Sequence, residues 1–248
     1  MNSSSIWGLN MNSTEKIWRN LQKHLNRQAV GYPATRSGVE LRLLKRFFKP
    51  EEALLAMHLT YKPRSIDRIF ETAKEMGITM KVMEQMLDTM LQNGVIGHIE
   101  KEGDRCFYSL PLAVGMYEGQ VNKLTPEFLK DYDEYINGTA FGLEFLSAEI
   151  PQMRTIPIRE SIPVNHTVTS YDHITNIVNN TDGPFAVVEC ICRQRTRLQG
   201  KPCQQTNLME TCISFGDSAK NLIKYGIGKV ICNLLLKGLR LSKVYRFE

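Results

Sequence analysis

The sequence predicts an α+β fold in two parts, a winged helix-turn-helix followed by a smaller, cysteine-rich α+β domain. Segments of helical periodicity precede a segment that alternates like a β-hairpin, and four of the six cysteines lie close together farther along the chain. At 248 residues and 42% hydrophobic content, the chain is long enough to bury two modest cores. We therefore predict a helical extension at 1–36, a winged-helix domain at 37–124 and a cysteine-rich α+β domain at 125–248.

The first half of the chain contains signals for four helices. Ser37 and Glu40 have capping-box spacing ahead of an apolar face, which predicts a helix from about Ser37 to Phe48. Pro50 stands at a first helical position in PEEALLAMHL, where its missing N–H costs nothing. RSIDRIFETAKEMG and TMKVMEQMLDTMLQNG have apolar residues at helical spacing and end on glycine, which predicts a pair of helices with Gly77 in the turn.

A hairpin and a further helix follow. VIGHIEKEGDRCFYSL alternates and turns at Glu102 to Asp104, so we predict a β-hairpin. Helices followed by a hairpin predict a winged helix-turn-helix. Thr125 and Pro126 begin another predicted helix, which ends near Gly138. Farther on, RTIPIRESI is predicted as a strand and the range 171–180 as a helix.

The segment PFAVVECIC is predicted to be a buried strand. Its alternation places Val188, Cys190 and Cys192 on one face, so that two thiols leave the end of the strand in the same direction. The range 217–225 is predicted as a helix ended by Gly226.

Four cysteines lie within twenty-three residues, namely Cys190, Cys192, Cys203 and Cys212. Four thiolates are what a tetrahedral zinc ion or a cubane iron–sulfur cluster needs. The spacing has neither the paired knuckles of structural zinc sites nor the closely spaced run of ordinary ferredoxins, so spacing alone predicts a metal or a cluster without deciding between them. The other two cysteines, Cys106 and Cys232, are predicted to be core residues.

The residues between these cysteines favour a cluster. Arg193, Arg195, Arg197 and Lys201 lie among them, and their charge favours thiolate and offsets an anionic cluster. Gly200 allows backbone N–H groups to approach cluster sulfur closely. We therefore predict that the four cysteines bind a [4Fe-4S] cluster, with Arg193, Gly200 and Lys201 as cofactor-binding neighbours. Zinc, and cysteines that are unliganded or catalytic, are the alternatives.

These motifs resemble a family of 4Fe-4S-binding or ferredoxin-like proteins of anaerobes, in which a winged-helix half precedes a cysteine segment. The resemblance extends from about Val39 to Ile231 and includes PEEALLAMHL, FYSLPLAVGMYEGQ, RTIPIRESI, CICRQ, GKPC, ETC and FGDSAKNLIKYGIGK. It implies cluster ligation by the four cysteines in an electron-transfer setting, with a carrier or accessory redox protein favoured over an enzyme. Relatives often continue with further ferredoxin-type cysteines, whereas this chain ends VICNLLLKGLRLSKVYRFE, so we expect no second cluster.

The expected location is the cytoplasm, without membrane association. The N-terminus lacks the basic start and apolar stretch of a signal peptide, and the apolar runs are shorter than the ~20 residues of a membrane span. In a reducing cytosol, clustered cysteines more often bind metal or do redox work than form structural disulfides. From Gly183 to Glu248, eleven Lys or Arg residues stand against four acids, a net charge of +7 that suits an acidic redox partner.

A redox-responsive DNA-binding regulator is the second function hypothesis. Between Lys62 and Arg105, seven cationic side chains stand against eight acidic ones, a net charge of −1. Such a surface attracts the phosphate backbone weakly, so DNA is a disfavoured partner. The candidate recognition helix extends from Thr79 to Gln92. A methionine stripe begins just before it and continues along it, made of Met76, Met80, Met83, Met86 and Met90. We predict that the stripe packs in the core, with a homodimer surface as the alternative.

Overall fold

The structure is a computed structural model that describes residues 11–147, 183–204 and 207–231. It combines helices with two small antiparallel sheets, as the α+β prediction requires. The chain divides into two compact units, Met1–Pro151 and Gln152–Glu248. The predicted strand RTIPIRESI, the predicted helix at 171–180 and Cys232 lie outside the described residues, and the domain limits at 36/37 and 124/125 stay predictions.

The first unit is mainly helical. Its α-helices in the described ranges are α1 (Met11–Leu25), α2 (Val39–Phe47), α3 (Pro50–Ala56), α4 (Ile66–Thr72), α5 (Met80–Gln92), α6 (Pro126–Ile136) and α7 (Thr139–Ser147). Its strands are β1 (Arg64–Ser65), β2 (Ile96–Lys101) and β3 (Asp104–Ser109), which form an antiparallel sheet in the order β1-β3-β2. No helix in the described ranges combines the length and apolarity that crossing a bilayer requires.

Local side chains define three helix starts, and those at Pro50 and Thr125 confirm predicted signals. Pro50 occupies the first position of α3, and the carboxylate of Glu52 accepts a hydrogen bond of 2.8 Å from the N-cap backbone N–H. The hydroxyl oxygen of Thr79 caps α5 by accepting from the N–H of Val82 at 3.3 Å. Thr125 caps α6 in the same way. Such caps satisfy backbone donors that have no partner inside the helix.

The predicted hairpin is also confirmed. Strands β2 and β3 pair from Ile96 to Ser109, and the turn between them places Glu102 and Gly103 at φ angles of 55° and 89°. Consecutive left-handed residues match the right-handed twist of a hairpin. The third strand, β1, has only two residues, and a stretch that short carries no alternation from which to predict it.

The predicted capping box at Ser37 is wrong. Helix α2 begins after Gly38, which has a left-handed φ of 68°, and no side chain caps it. The Glu40 carboxylate is fully buried instead and accepts hydrogen bonds from Arg19 Nη1 at 3.1 Å and from the Thr35 hydroxyl. A buried carboxylate needs a charged partner, and Arg19 on α1 supplies it. Glu40 therefore links two helices instead of capping one.

The methionine stripe packs largely in the core, as predicted. Met76, Met83 and Met90 expose 8%, 0% and 0% of their surface. Cys106 on β3 is buried as well, which confirms it as a core residue. The homodimer stays a prediction.

Two glycines are required where the end of α5 meets the loop after the hairpin. A Cβ on Gly94 would lie 2.6 Å from the Cα of Gly119, and a Cβ on Gly119 would overlap the backbone of Gly94. We expect Gly119→Ala to lower the free energy of unfolding by about 1–3 kcal/mol through overpacking. Gly142→Ala is the matched control, because a Cβ at this position on α7 meets open space. This variant should raise the free energy of unfolding by about 0.5–1 kcal/mol through the higher helix propensity of alanine. Equal effects in urea titrations would contradict the close approach.

The first unit should become less stable in mild acid. Burial lowers the pKa of His24 and His58 below the ordinary value of 6.5, and Arg64 lowers both further. The folded chain therefore binds fewer protons than the unfolded chain below pH 6.5, so stability is highest above that pH and decreases as the pH falls towards the folded-state pKa values. Urea titrations at several pH values check this. The double variant His24→Gln, His58→Gln should lose less stability over the same range, and an unchanged pH profile would contradict the assignment.

The described part of the second unit contains a small sheet and two helices. Its elements are β4 (Phe185–Glu189), α8 (Ile191–Leu198), β5 (Glu210–Phe215), α9 (Gly216–Lys224) and β6 (Lys229–Ile231), with strand order β5-β4-β6. Phe185 is buried, and its ring meets that of Phe215 edge-on at 5.5 Å. Gly226 follows α9 at a φ of 69°, as predicted.

Candidate metal centre

Strand β4 ends earlier than the alternation predicts. Pairing stops at Glu189, Cys190 is the N-cap of α8, and Cys192 lies exposed in the first helical turn. The prediction that Cys192 continues the strand is therefore wrong. The sequence from Ile191 to Leu198 is rich in Arg, Gln and Leu, which favour helix, and this preference takes over where the strand pairing ends.

A β-bulge lies beside Cys190. Val188 pairs with Cys212, whereas Glu189 pairs with Glu210, so Thr211 is an extra residue in β5. Consecutive side chains of a regular strand point to opposite faces, but a bulge re-aims one of them. Both Thr211 and Cys212 accordingly reach the Cys190 sulfur with their side chains. The backbone N–H of Cys190 also donates to the Met209 carbonyl at 2.7 Å, which holds Cys190 against the same segment.

The surroundings of Cys190 favour the thiolate. Burial raises the pKa of the Cys190 thiol, but hydrogen bonds together outweigh it and lower the pKa. The donors are the backbone N–H groups of Arg193 and Cys192 and the side chains of Cys212 and Thr211. The two N–H groups belong to the positive end of α8, although the sulfur makes no cap hydrogen bond of ordinary geometry. Thiolate is the form that binds metal.

The other predicted site residues follow α8. Cys203 is half-buried and lines a cavity, together with Arg193. Gly200 has a left-handed φ of 73°, and its N–H donates to the Arg197 carbonyl at 3.1 Å, which ends the helix. Lys201 is exposed. The left-handed end of the helix is by itself a sufficient reason for a glycine at position 200. The cofactor-binding roles of Arg193, Gly200 and Lys201 stay predictions.

The described residues bring together two of the four predicted ligands, Cys190 and Cys212, across β4 and β5. Cys192 begins the same helix that Cys190 caps, and Cys203 lies beyond the other end of that helix. Within the described ranges, no group of three or more His, Cys, Asp or Glu side chains is arranged to hold a metal ion. The soft donors and positive surroundings are compatible with a metal or a cluster, and the roles of Cys192 and Cys203 as ligands stay predictions.

The sequence alone does not indicate Thr211 or Met209 as neighbours of Cys190. Neither residue type is a typical metal ligand at this spacing, and a bulge leaves no periodic signal. Comparison of the chain with protein-family models, curated proteins and solved structures finds no match. The chemistry of the cysteine segment is therefore the starting point for function.

Proposed function

We propose that Cys190, Cys192, Cys203 and Cys212 bind a [4Fe-4S] cluster and that the protein acts in electron transfer or redox sensing. We place it in the cytoplasm as a carrier or accessory redox protein. The observation that carries the proposal is the contact between Cys190 and Cys212, two cysteines twenty-two positions apart that meet at the positive end of α8. When bound, such a cluster supplies one-electron transfer.

The local charge supports a cluster over zinc. The described part of the second unit carries seven Lys or Arg residues and three acids, so its formal charge is +4. A cluster on four thiolates is anionic, and cations and N–H donors near its sulfurs stabilise the reduced form. A structural zinc site gains less from so many cations. The same positive surface suits an acidic redox partner, whose approach it would accelerate.

The proposal is tested by purifying the protein without oxygen and measuring iron, sulfide and zinc per chain together with the visible spectrum. We expect about four irons and four sulfides per chain with a broad charge-transfer band. One zinc without sulfide would contradict the cluster and support a structural zinc site. Cysteines without any metal would contradict both.

We further propose that residues 37–124 form a winged-helix domain, as the sequence predicts. The sheet order β1-β3-β2, with α4 and α5 between the first two strands along the chain, supports this fold. The fold keeps a DNA-binding regulator as the second candidate function. The charges on α5 disfavour it, because Arg105 on the hairpin pairs with Asp88 and Lys81 lies beside Glu84.

Duplex DNA binding separates the two functions. We expect fluorescence anisotropy with labelled random duplex DNA to show little binding at about 50 mM salt and no steep decrease towards about 200 mM. Tight binding with a steep salt dependence would instead support the regulator.

A further inference from the structure

A cavity of about 270 Å³ opens beside the C-terminal half of the cysteine segment. Its wall includes two guanidinium groups, a thiol, an amide and two apolar side chains, from Arg193, Arg197, Cys203, Asn207, Leu208 and Met209. The two arginines are four residues apart on α8, so they lie on the same side of the helix. The cavity is therefore lined by both cationic and apolar side chains.

Among the residues that the structure describes, no acidic side chain pairs with the arginines of this wall. The carboxylates in the described part of the second unit are Glu189, Glu210 and Asp217, and each has another partner. Glu189 accepts from Gln194 Nε2 at 2.6 Å, Glu210 pairs with Lys229, and Asp217 pairs with Lys220 at 2.9 Å. Within those ranges, no carboxylate pairs with either cavity arginine. Two neighbouring guanidinium groups create a positive potential that attracts an anion.

One of the two arginines is held in position. Arg193 Nη1 donates to the Leu208 carbonyl at 2.9 Å, which fixes the guanidinium on the cavity wall. A guanidinium has five N–H donors in a planar fork, and this fork matches the oxygen spacing of phosphate and carboxylate groups. An anion that enters the cavity therefore meets a donor group that is already oriented.

We propose that this cavity binds a small oxyanion, a phosphate ester or a carboxylate with a short apolar part. Arg193 and Arg197 bind the oxyanion, and Leu208 and Met209 contact the hydrocarbon portion. The volume lies just below the roughly 300–1,000 Å³ of pockets for drug-sized ligands, which fits a compact metabolite. The proposal goes beyond the cluster, because it concerns a second ligand that the two arginines bind, and Cys203 on the same wall is also a proposed cluster ligand.

Isothermal titration calorimetry of the full chain, purified without oxygen, tests the site. Inorganic pyrophosphate and succinate are the probes, and iron is determined on the same sample. We expect saturable binding of at least one probe with one site per chain, and the tighter probe identifies the phosphate or the carboxylate class. Arg197→Gln should weaken binding by roughly tenfold to a hundredfold, the usual effect of losing a charged hydrogen-bonding partner.

Two further variants make the test specific. Arg68→Gln on α4 removes the same charge from an exposed position in the first unit and should leave binding unchanged. Leu208→Glu adds a carboxylate to the cavity and should abolish binding. Absence of saturable binding by both probes, or equal weakening by Arg68→Gln and Arg197→Gln, would overturn the site. Loss of iron with intact anion binding would count against the cluster alone.

Discussion

The variant Cys212→Ser should lose most of its bound iron. Cys212 contacts Cys190, and both are proposed ligands of one cluster. A serine hydroxyl is a harder and less acidic donor than a thiol, so the exchange removes one of four soft ligands. Changes in the outer shell of a metal site already cost about 10–100-fold in affinity, and loss of a ligand should cost more. Iron and sulfide per chain, measured after anaerobic purification, give the result.

Cys106→Ala is the matched control for this experiment. Cys106 is buried on β3 in the first unit, where it packs as a core residue. Its variant should keep the iron and sulfide of the unsubstituted protein. If Cys212→Ser and Cys190→Ser also kept full iron and sulfide, the proposed ligand set would be wrong.

Glu40→Gln should lower the free energy of unfolding by about 2–3 kcal/mol. The Glu40 carboxylate is fully buried and forms an ion pair with Arg19 between α1 and α2. Glutamine keeps the shape but removes the charge, so Arg19 loses its charged partner. In a capping box, glutamine serves as well as glutamate, so the same substitution would be almost neutral there. Urea denaturation distinguishes these outcomes.

Glu15→Gln provides the control, because Glu15 pairs with Lys45 across the same two helices. That pair is exposed, with side-chain exposures of 62% for Glu15 and 39% for Lys45. Exposed pairs contribute about 0–1 kcal/mol, so this variant should be close to neutral. If both glutamines cost the same, burial would not be what makes Glu40 important.

Local signals in the sequence were sufficient to predict most of the helices and the hairpin of the first unit. Pro50, Thr79 and Thr125 mark helix starts through chemistry that acts within one turn, and the hairpin turn requires its glycine. Glu40 was placed wrongly because its partner, Arg19, is twenty-one positions away on another helix. Helix α7 was also missed, since its apolar residues form no clear amphipathic stripe.

The cysteine segment shows the same limit more sharply. Its residue types predicted soft-metal chemistry, and the structure brings Cys190 and Cys212 together. The strand alternation, however, placed Cys192 on the wrong kind of element. The alternation does not show where β4 ends and α8 begins, because that point depends on where the pairing with β5 ends. Pairing between strands is a non-local property. It cannot be predicted from β4 alone, because β5 lies about twenty residues farther along the chain.

The extra residue in β5 has a consequence for protein engineering. A designer who transplants Cys190 and Cys212 onto a regular two-stranded ribbon would copy the side chains without copying the backbone offset. Thr211 supplies that offset, because it lets two consecutive side chains reach one sulfur. The smallest segment to transplant is therefore the bulged strand pair together with the first turn of the following helix. The two cysteines alone would not reproduce the contact.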